Sequence, residues 1–413
     1  MYRVSHISTS SSEGGSAVSA RRIHNQLLTN RINSQLFVSD HDNSEEKIFF
    51  FSTINFLRVV DKFFNYVLNK LGLQYFFVPS NFFLNKDLSK SSIIQLYNTH
   101  GGYFQITTLK KLNSYAPLVW RLSDYWAMTG HCAYPGECEK WKSLCKNCPS
   151  LKGYPEIGID NTANIWNKKK KIIEKLNLKI VVPSERMYKH VKKSPILKNK
   201  EIYIIPNGID TKIFKPLNKK FAKKKLKISE KFSVLFIAQV AFDNYRKGTD
   251  FLKKVLDTFR EDKNIQFLVA GMGSEKWNDF SFKNLITFDY NKSIKWKRLL
   301  YNSSDLTIVP SINENFPNVI LESMSCGTPV ISFNTGGISN IIDNKNGVLV
   351  EKFAIDKFIK SISSLSQNKE ILETLKKNSR KTIVRKFSVN NEVENYIKIY
   401  KKIINENNQK YSE

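Results

Sequence analysis

"SINENFPNVILESMSCGTPVISFNTGG", residues 311–337, sets Glu314 and Glu322 eight positions apart across Phe316–Pro317 and closes on Gly336–Gly337. Before it, "DLTIVP" (305–310) is an apolar run bounded by a proline, and inside it "PVISF" (329–333) is another; both read as buried strands. Between them Pro317 falls where the first helical residue belongs, and Gly327 with Pro329 marks a stop, which predicts a helix from 317 to about 326. Strand, loop, short helix, strand is the repeating unit of a parallel α/β sheet.

The same alternation runs outward in both directions. In the carboxyl-terminal half, 232–238, 265–271, 285–288 and 347–350 join 305–310 and 329–333 as strands of a doubly wound sheet. In the amino-terminal half, strands are predicted at 2–8, 34–39, 93–97, 117–122, 179–183 and 202–205, with helical periodicity at 15–29 and 184–192. A Lys-rich, apolar-poor stretch follows "PNGID" near 206–230 and marks a boundary. At 413 residues, 41% of them apolar, the chain is long enough for two cores. The expected architecture is α/β, two Rossmann-like doubly wound domains at 1–205 and 206–385 facing a central cleft, followed by a carboxyl-terminal helical segment at 386–413. Open sheets of this kind bind ligands at the carboxyl ends of their strands, so that cleft is the expected active site.

A helix starting at Pro317 presents free amides around Phe316, Asn318 and Val319 at the positive end of its dipole, which suits a diphosphate. Glu322 lies four residues past Asn318 on the same face and can accept the two hydroxyls of a ribose. Glu314, in the loop before the helix, would face the group beyond the other phosphate. Taken singly, such glutamates read as a solvated loop residue and an exposed helix face; taken together they fit a nucleotide sugar.

Composition narrows the partners. The formal net charge of +28 favours anions: nucleotides, lipid head groups or nucleic acid. Lysine runs such as "NKKKKIIEK" (167–175) are scattered, and no RNA- or DNA-binding module is recognisable, so no nucleic-acid partner is expected. "MYRVSHISTS" lacks the cationic and long apolar segments of an export signal, and no run is apolar enough to cross a bilayer; a cytoplasmic location is expected. Residues 49–84, rich in Phe, Leu and Val with interspersed Arg58, Asp61, Lys62 and Lys70, read either as an amphipathic helical pair packed on the core or as a segment lying on a membrane.

Glu, seven residues, Glu, followed by "CGTPVISFNTGG", resembles the donor site of the family 4 glycosyltransferases, retaining enzymes of the GT-B fold. "IPNGID" (205–210), "RKG" (246–248), "VAGMGSE" (269–275) and "EGGSA" (13–17) match in the same order along nearly the whole chain. The resemblance implies that Glu314 holds donor-sugar hydroxyls, that the 316–319 backbone and Lys247 neutralise the diphosphate, that Glu322 holds the ribose, and that Gly14 and Gly15 approach the phosphates. Many relatives carry an arginine where this chain has Gln239; either Arg246 supplies that second cation, or neutralisation is weaker. "WRLSDYWAMTGHCAYPGECEKWKSLCKNCPSL" (120–151) resembles the bacterial subgroup that builds colanic-acid-type exopolysaccharides, with its "HDxWxxTG" segment and following cysteines. This chain has Ser123 where that pattern has His, and keeps Asp124, which can position an acceptor hydroxyl or fold the loop.

Cys132, Cys138, Cys145 and Cys148 crowd into 17 residues of this insertion, about 130–150, while Cys326 stands alone. Three readings are open: a structural zinc site, with His131 able to replace one sulfur; free thiols; or disulfides, which a reducing compartment disfavours. Cys326 reads as a small core residue.

The implied chemistry is transfer of a glycosyl unit from a nucleotide diphosphate sugar to a hydroxyl of a glycan acceptor, lipid-linked in surface-polysaccharide assembly, with retention. Its main demand is electrostatic stabilisation of the leaving diphosphate. Lys247, Arg246 and the helix amides can meet that demand, so no catalytic metal is expected. An epimerase or phosphorylase of the same fold, and a basic nucleic-acid-binding protein, are the alternatives.

Overall fold

The computed structural model describes residues 2–12, 14–40, 47–54, 56–291 and 293–410. The chain divides into two compact units, Met1–Pro206 with Glu392–Glu413, and Asn207–Asn391.

The first unit is built on strands β1 (Arg3–Ser10), β2 (Asn33–Asp40), β3 (Ile48–Phe50), β4 (Ile93–Leu96), β5 (Leu118–Arg121), β6 (Leu178–Val182) and β7 (Glu201–Ile204). They form one parallel sheet in the order β3-β2-β1-β4-β5-β6-β7. Its helices are α1 (Gly15–Thr29), α2 (Leu57–Lys70), α3 (Thr108–Tyr115), α4 (Thr162–Ile173) and α5 (Glu185–Lys193). The start of α5 follows from Ser184, whose side chain accepts the Met187 N–H at 3.2 Å. Central strands β4 and β5 are buried at every residue, as a parallel sheet covered on both faces requires.

The second unit carries β8 (Phe232–Val240), β9 (Ile265–Met272), β10 (Leu285–Phe288), β11 (Leu306–Val309), β12 (Val330–Phe333) and β13 (Val348–Val350), parallel in the order β10-β9-β8-β11-β12-β13. Its helices are α6 (Lys219–Leu226), α7 (Thr249–Thr258), α8 (Ile294–Ser303), α9 (Asn318–Ser325), α10 (Ile355–Gln367) and α11 (Lys369–Lys386). Period-two alternation divides each strand between two cores. Val234, Phe267, Ile308 and Ile331 pack on one face, and Leu235, Leu268, Val309 and Val330 on the other. Both sheets are thus of the doubly wound parallel class expected from the sequence; β3, three residues long at a sheet edge, is the strand that class of reasoning did not contain.

Helix α12 (Val389–Lys410) returns the chain to the first unit. There Glu392, 2% exposed, lies 3.4 Å from the Arg22 guanidinium and 3.8 Å from that of Arg121, and Tyr400 donates to Gln95. At the edge of the second unit the outgoing and returning backbones pair: Ile209 N–H donates to Phe387 O at 2.8 Å and Val389 N–H to Ile209 O at 2.9 Å.

The expected helical pair at 49–84 is instead one helix, α2, followed by the short 3-10 turns Pro79–Phe82 and Lys86–Lys90. The polarity of α2 is inverted. Asp61 and Asn65 are buried, Asp61 accepting the Ser80 N–H at 3.0 Å, while Phe56, Val59, Phe63 and Tyr66 are 74%, 69%, 64% and 67% exposed at helical spacing. No helix among the described residues is long and apolar enough to cross a membrane.

Candidate active site

At the carboxyl end of β11 the chain enters the loop 310–317 and then α9. Pro317 is the residue before the helix rather than its first: φ −74° and ψ 124° are extended, and α9 begins at Asn318. The correction has a simple cause, since Pro317 O still accepts the Ile320 N–H at 3.3 Å and so caps the first turn from outside. Asn318 and Val319 open the helix half-buried, and Phe316 is buried against Phe387, ring centroids 5.9 Å apart. Asn207 belongs to the "IPNGID" match, where the sequence assigns it no role. Its side-chain amide donates to Phe316 O at 3.1 Å and lies 3.4 Å from Asn318 Oδ1, so the "PNG" turn supports the helix mouth.

Two glycines explain how the Glu314 loop is held. Gly336 has φ +59°, and a Cβ on it would stand 1.6 Å from Glu314 O; its neighbour Gly337 donates N–H to Asn315 O at 2.7 Å. Gly248 has φ +76°, and a Cβ there would stand 2.0 Å from Pro310 O. Close approach at Gly248 seats the turn Tyr245–Lys247 on the loop, where Ile312 N–H donates to Arg246 O at 3.1 Å.

That seating brings three predicted residues together. Lys247 Nζ donates to Glu314 Oε1, and Arg246 NH1 lies 3.9 Å from the same oxygen. The Glu314 side chain is only 8% exposed. Burial alone would raise its pKa, but the charges of Lys247 and Arg246 outweigh burial and hold the carboxyl below its usual range. One carboxylate against two cations leaves a local positive excess beside the start of α9. Gln239 is exposed at the end of β8, whereas Arg246 is within reach of this cluster.

Glu322 lies one turn inside α9, 7% exposed, and its Oε2 accepts the Tyr301 hydroxyl at 2.7 Å. It is therefore not on an exposed helix face. Tyr301, at the end of α8, is a second residue the sequence reading missed; nothing in "RLLYNSSD" separates it from an ordinary core tyrosine. Burial and the adjacent Glu322 keep its phenol well above the ordinary pKa, so it remains a donor.

In the first unit Gly14 precedes α1 with φ +84°, a Cβ there would meet nothing within 4 Å, and Gly15 opens the helix. Glu13 of the same motif lies outside the described residues. Asp124, 6% exposed, accepts the Trp126 N–H at 2.9 Å through Oδ1 and pairs with His100 Nε2 at 2.8 Å through Oδ2. The other His100 nitrogen lies 3.4 Å from the Tyr154 hydroxyl. Asp124 thus has an imidazole partner although position 123 is serine; it comes from "NTHGG" after β4, a motif the sequence reading passed over. Ser123 Oγ meets Ser16 Oγ at 3.2 Å and receives Arg121 NH1 at 3.0 Å.

The four clustered cysteines are half-buried, carry no disulfide and line one cavity. Cys145 Sγ accepts the Gly130 N–H at 3.1 Å, and His131 Nε2 lies 3.3 Å from Cys148 Sγ. Burial, with a contribution from the neighbouring thiols, raises Cys132 to about 12 and Cys145 to about 11. Among the described residues no group of three or more His, Cys, Asp and Glu side chains is set as a metal shell. Cys326 is buried in the second unit, the small core residue expected.

Residues 218–382 match the family model "Glycosyl transferases group 1". A protein named as a colanic acid biosynthesis glycosyl transferase, WcaC of Escherichia coli K12, is 24% identical over 255 residues, 59% of this chain and 59% of that protein. An Escherichia coli UDP-Gal:alpha-D-GlcNAc-diphosphoundecaprenol alpha-1,3-galactosyltransferase is 28% identical over 211 residues, 48% of this chain and 54% of that protein. The chain therefore spans just over half the length of these relatives. In structure it is similar to sucrose-phosphate synthase of Thermosynechococcus elongatus, with a TM-score of 0.69 at 16% identity over 97% of this chain and 99% of that one. The chain has the GT-B fold and carries a glycosyl transferases group 1 domain at residues 218–382.

Proposed function

We propose that this protein is a retaining glycosyltransferase that moves a sugar from a nucleotide diphosphate donor to a hydroxyl of a lipid-linked glycan in bacterial surface-polysaccharide biosynthesis. The observation that carries the reading is the cluster Glu314–Lys247–Arg246 beside the start of α9, with Glu322 one turn inside. In this reading the second unit binds the donor. The diphosphate lies at the α9 amides and is neutralised by Lys247 and Arg246, Glu314 takes sugar hydroxyls, and Glu322 takes the ribose. The anomeric carbon–oxygen bond to the diphosphate breaks while the acceptor oxygen bonds the same face of that carbon. The acceptor proton passes to the departing phosphate oxygen, so no side chain has to act as a base. Lys247 and Arg246 stabilise the charge that develops on the leaving group.

The first unit binds the acceptor, with Asp124 and His100 positioning its hydroxyl. A lipid-linked acceptor accords with the diphosphoundecaprenol named in one relative. It accords too with the exposed aromatic face of α2, flanked by Lys62 and Lys70, which suits peripheral contact with an anionic membrane on its cytoplasmic side. The test is a panel of nucleotide diphosphate sugars scored by thermal stabilisation and by slow donor hydrolysis. One or two donors are expected to stabilise the protein, and stabilisation by none would remove the reading.

A further inference from the structure

Residues 122–161 run for forty positions between β5 and α4 with no strand and only the short 3-10 turn Lys140–Lys142. Yet Trp126, Met128, Ala133, Trp141 and Ile157 within them are 0–3% exposed. Irregular segments of this length are seldom ordered by their own backbone, because they lack the hydrogen-bond ladders that offset chain entropy. All four clustered cysteines belong to this segment and face a single cavity, so its chemistry is concentrated where a cross-link would act.

We propose that Cys132, Cys138, Cys145 and Cys148 bind one structural zinc ion that holds this segment in place. Four thiols give up four protons and a divalent ion joins four thiolates, leaving a closed shell of charge −2 with no position for water. Two features fit that charge, and a third fixes the backbone. Cys145 Sγ already accepts a backbone N–H from Gly130. Lys169, 1% exposed, brings its ammonium into the same region, donating to the carbonyls of Trp126 at 2.6 Å and Thr129 at 3.1 Å. Asp160 fixes the backbone at the last ligand by accepting the Cys148 N–H at 2.7 Å. The sulfurs line the cavity without closing on a common point, so binding draws them inward by side-chain rotation; all four lie on one irregular segment. Four cysteines already complete a closed shell, so His131, held through its other nitrogen by Pro155 O at 2.9 Å, serves as a neighbour rather than a ligand.

The full chain, purified under reducing conditions and dialysed against a weak chelator, is assayed for metal by mass spectrometry. About one zinc per chain is expected. Cys138→Ser and Cys145→Ser should fall to background, whereas His131→Gln and Cys326→Ser should retain the metal. Should the cysteine variants fail to fold, cobalt(II) added to chelator-stripped wild type decides by itself, since a tetrathiolate site gives the intense visible bands of tetrahedral cobalt. Zinc-free protein whose four cysteines alkylate as free thiols, or map as two disulfides, overturns the proposal. So does zinc that survives both serine substitutions.

Discussion

The Tyr301 hydroxyl donates to Glu322 Oε2 at 2.7 Å, joining α8 to α9 in the interior of the second unit. One carboxylate oxygen is thereby engaged by the protein and the other is left outside that bond. Tyr301→Phe removes the donor and leaves a buried charge with one partner fewer, at a cost of about 1–3 kcal/mol in unfolding free energy. The carboxylate also loses its fixed orientation, so nucleotide affinity should weaken by roughly tenfold, about 1.4 kcal/mol. Calorimetric titration with the donor's nucleoside diphosphate measures the second effect; unchanged affinity would argue against a ribose at Glu322.

Lys247→Ala and Glu314→Ala should each lower transfer by roughly 100-fold or more, because each strips a group from the site of developing charge. Their stabilities should differ. Lys247→Ala leaves a buried carboxylate with Arg246 at 3.9 Å as its remaining cation and should reduce the melting temperature. Glu314→Gln keeps the size of the side chain without its charge and should be nearly neutral for folding. Transfer assays and thermal melts on the three variants separate catalysis from stability.

His100→Ala should slow transfer by roughly 10- to 100-fold while leaving donor affinity unchanged, since His100 supports Asp124 in the first unit and the donor is assigned to the second. A matching loss of donor affinity would move the pair out of the acceptor role.

Glu201 supplies a pH signature. Burial would raise its carboxyl, but hydrogen bonds from Lys179, Lys402 and Tyr203 prevail and lower it from 4.5 to about 2. A depressed folded-state value means that the ionised form contributes stability above pH 4.5, and that this contribution is lost as pH falls from 4.5 towards 2. Glu201→Gln should flatten acid unfolding of the first unit across that window, and added salt should do part of the same, because the network is partly exposed. Denaturant midpoints across the window check both.

Replacing Phe63 and Tyr66 together by Asp should release the protein from vesicles containing anionic lipid without lowering its melting temperature, since both side chains already face solvent. Sedimentation with anionic and with neutral vesicles reads the outcome. Equal binding of wild type and variant would leave the α2 face to a different partner.

Much of this was legible in the sequence because parallel strands covered on both faces are continuous apolar runs, and turn chemistry marks their ends. Twelve of the thirteen strands even begin within a residue of where the sequence puts them; β3 alone has no such signal. The site was legible where spacing carries meaning: Glu314 and Glu322 stand out because a helix start lies between them. Tyr301, Asn207 and His100 were not, since each reaches the site through a side-chain contact from a distant element, and one-dimensional spacing holds no record of such contacts. The inversion of α2 was hidden for a related reason: a hydrophobic stripe looks the same whether it faces the core or the solvent, and only the buried partners of Asp61 and Asn65 tell which.

Ile209 pairs with both Phe387 and Val389, so the second unit has its entrance and exit side by side. A module with neighbouring ends is a cassette. Chain 207–391 could be cut out, or exchanged for the corresponding portion of a relative, without gathering distant termini, and donor choice could in that way change hands while everything encoded on either side of it stayed the same.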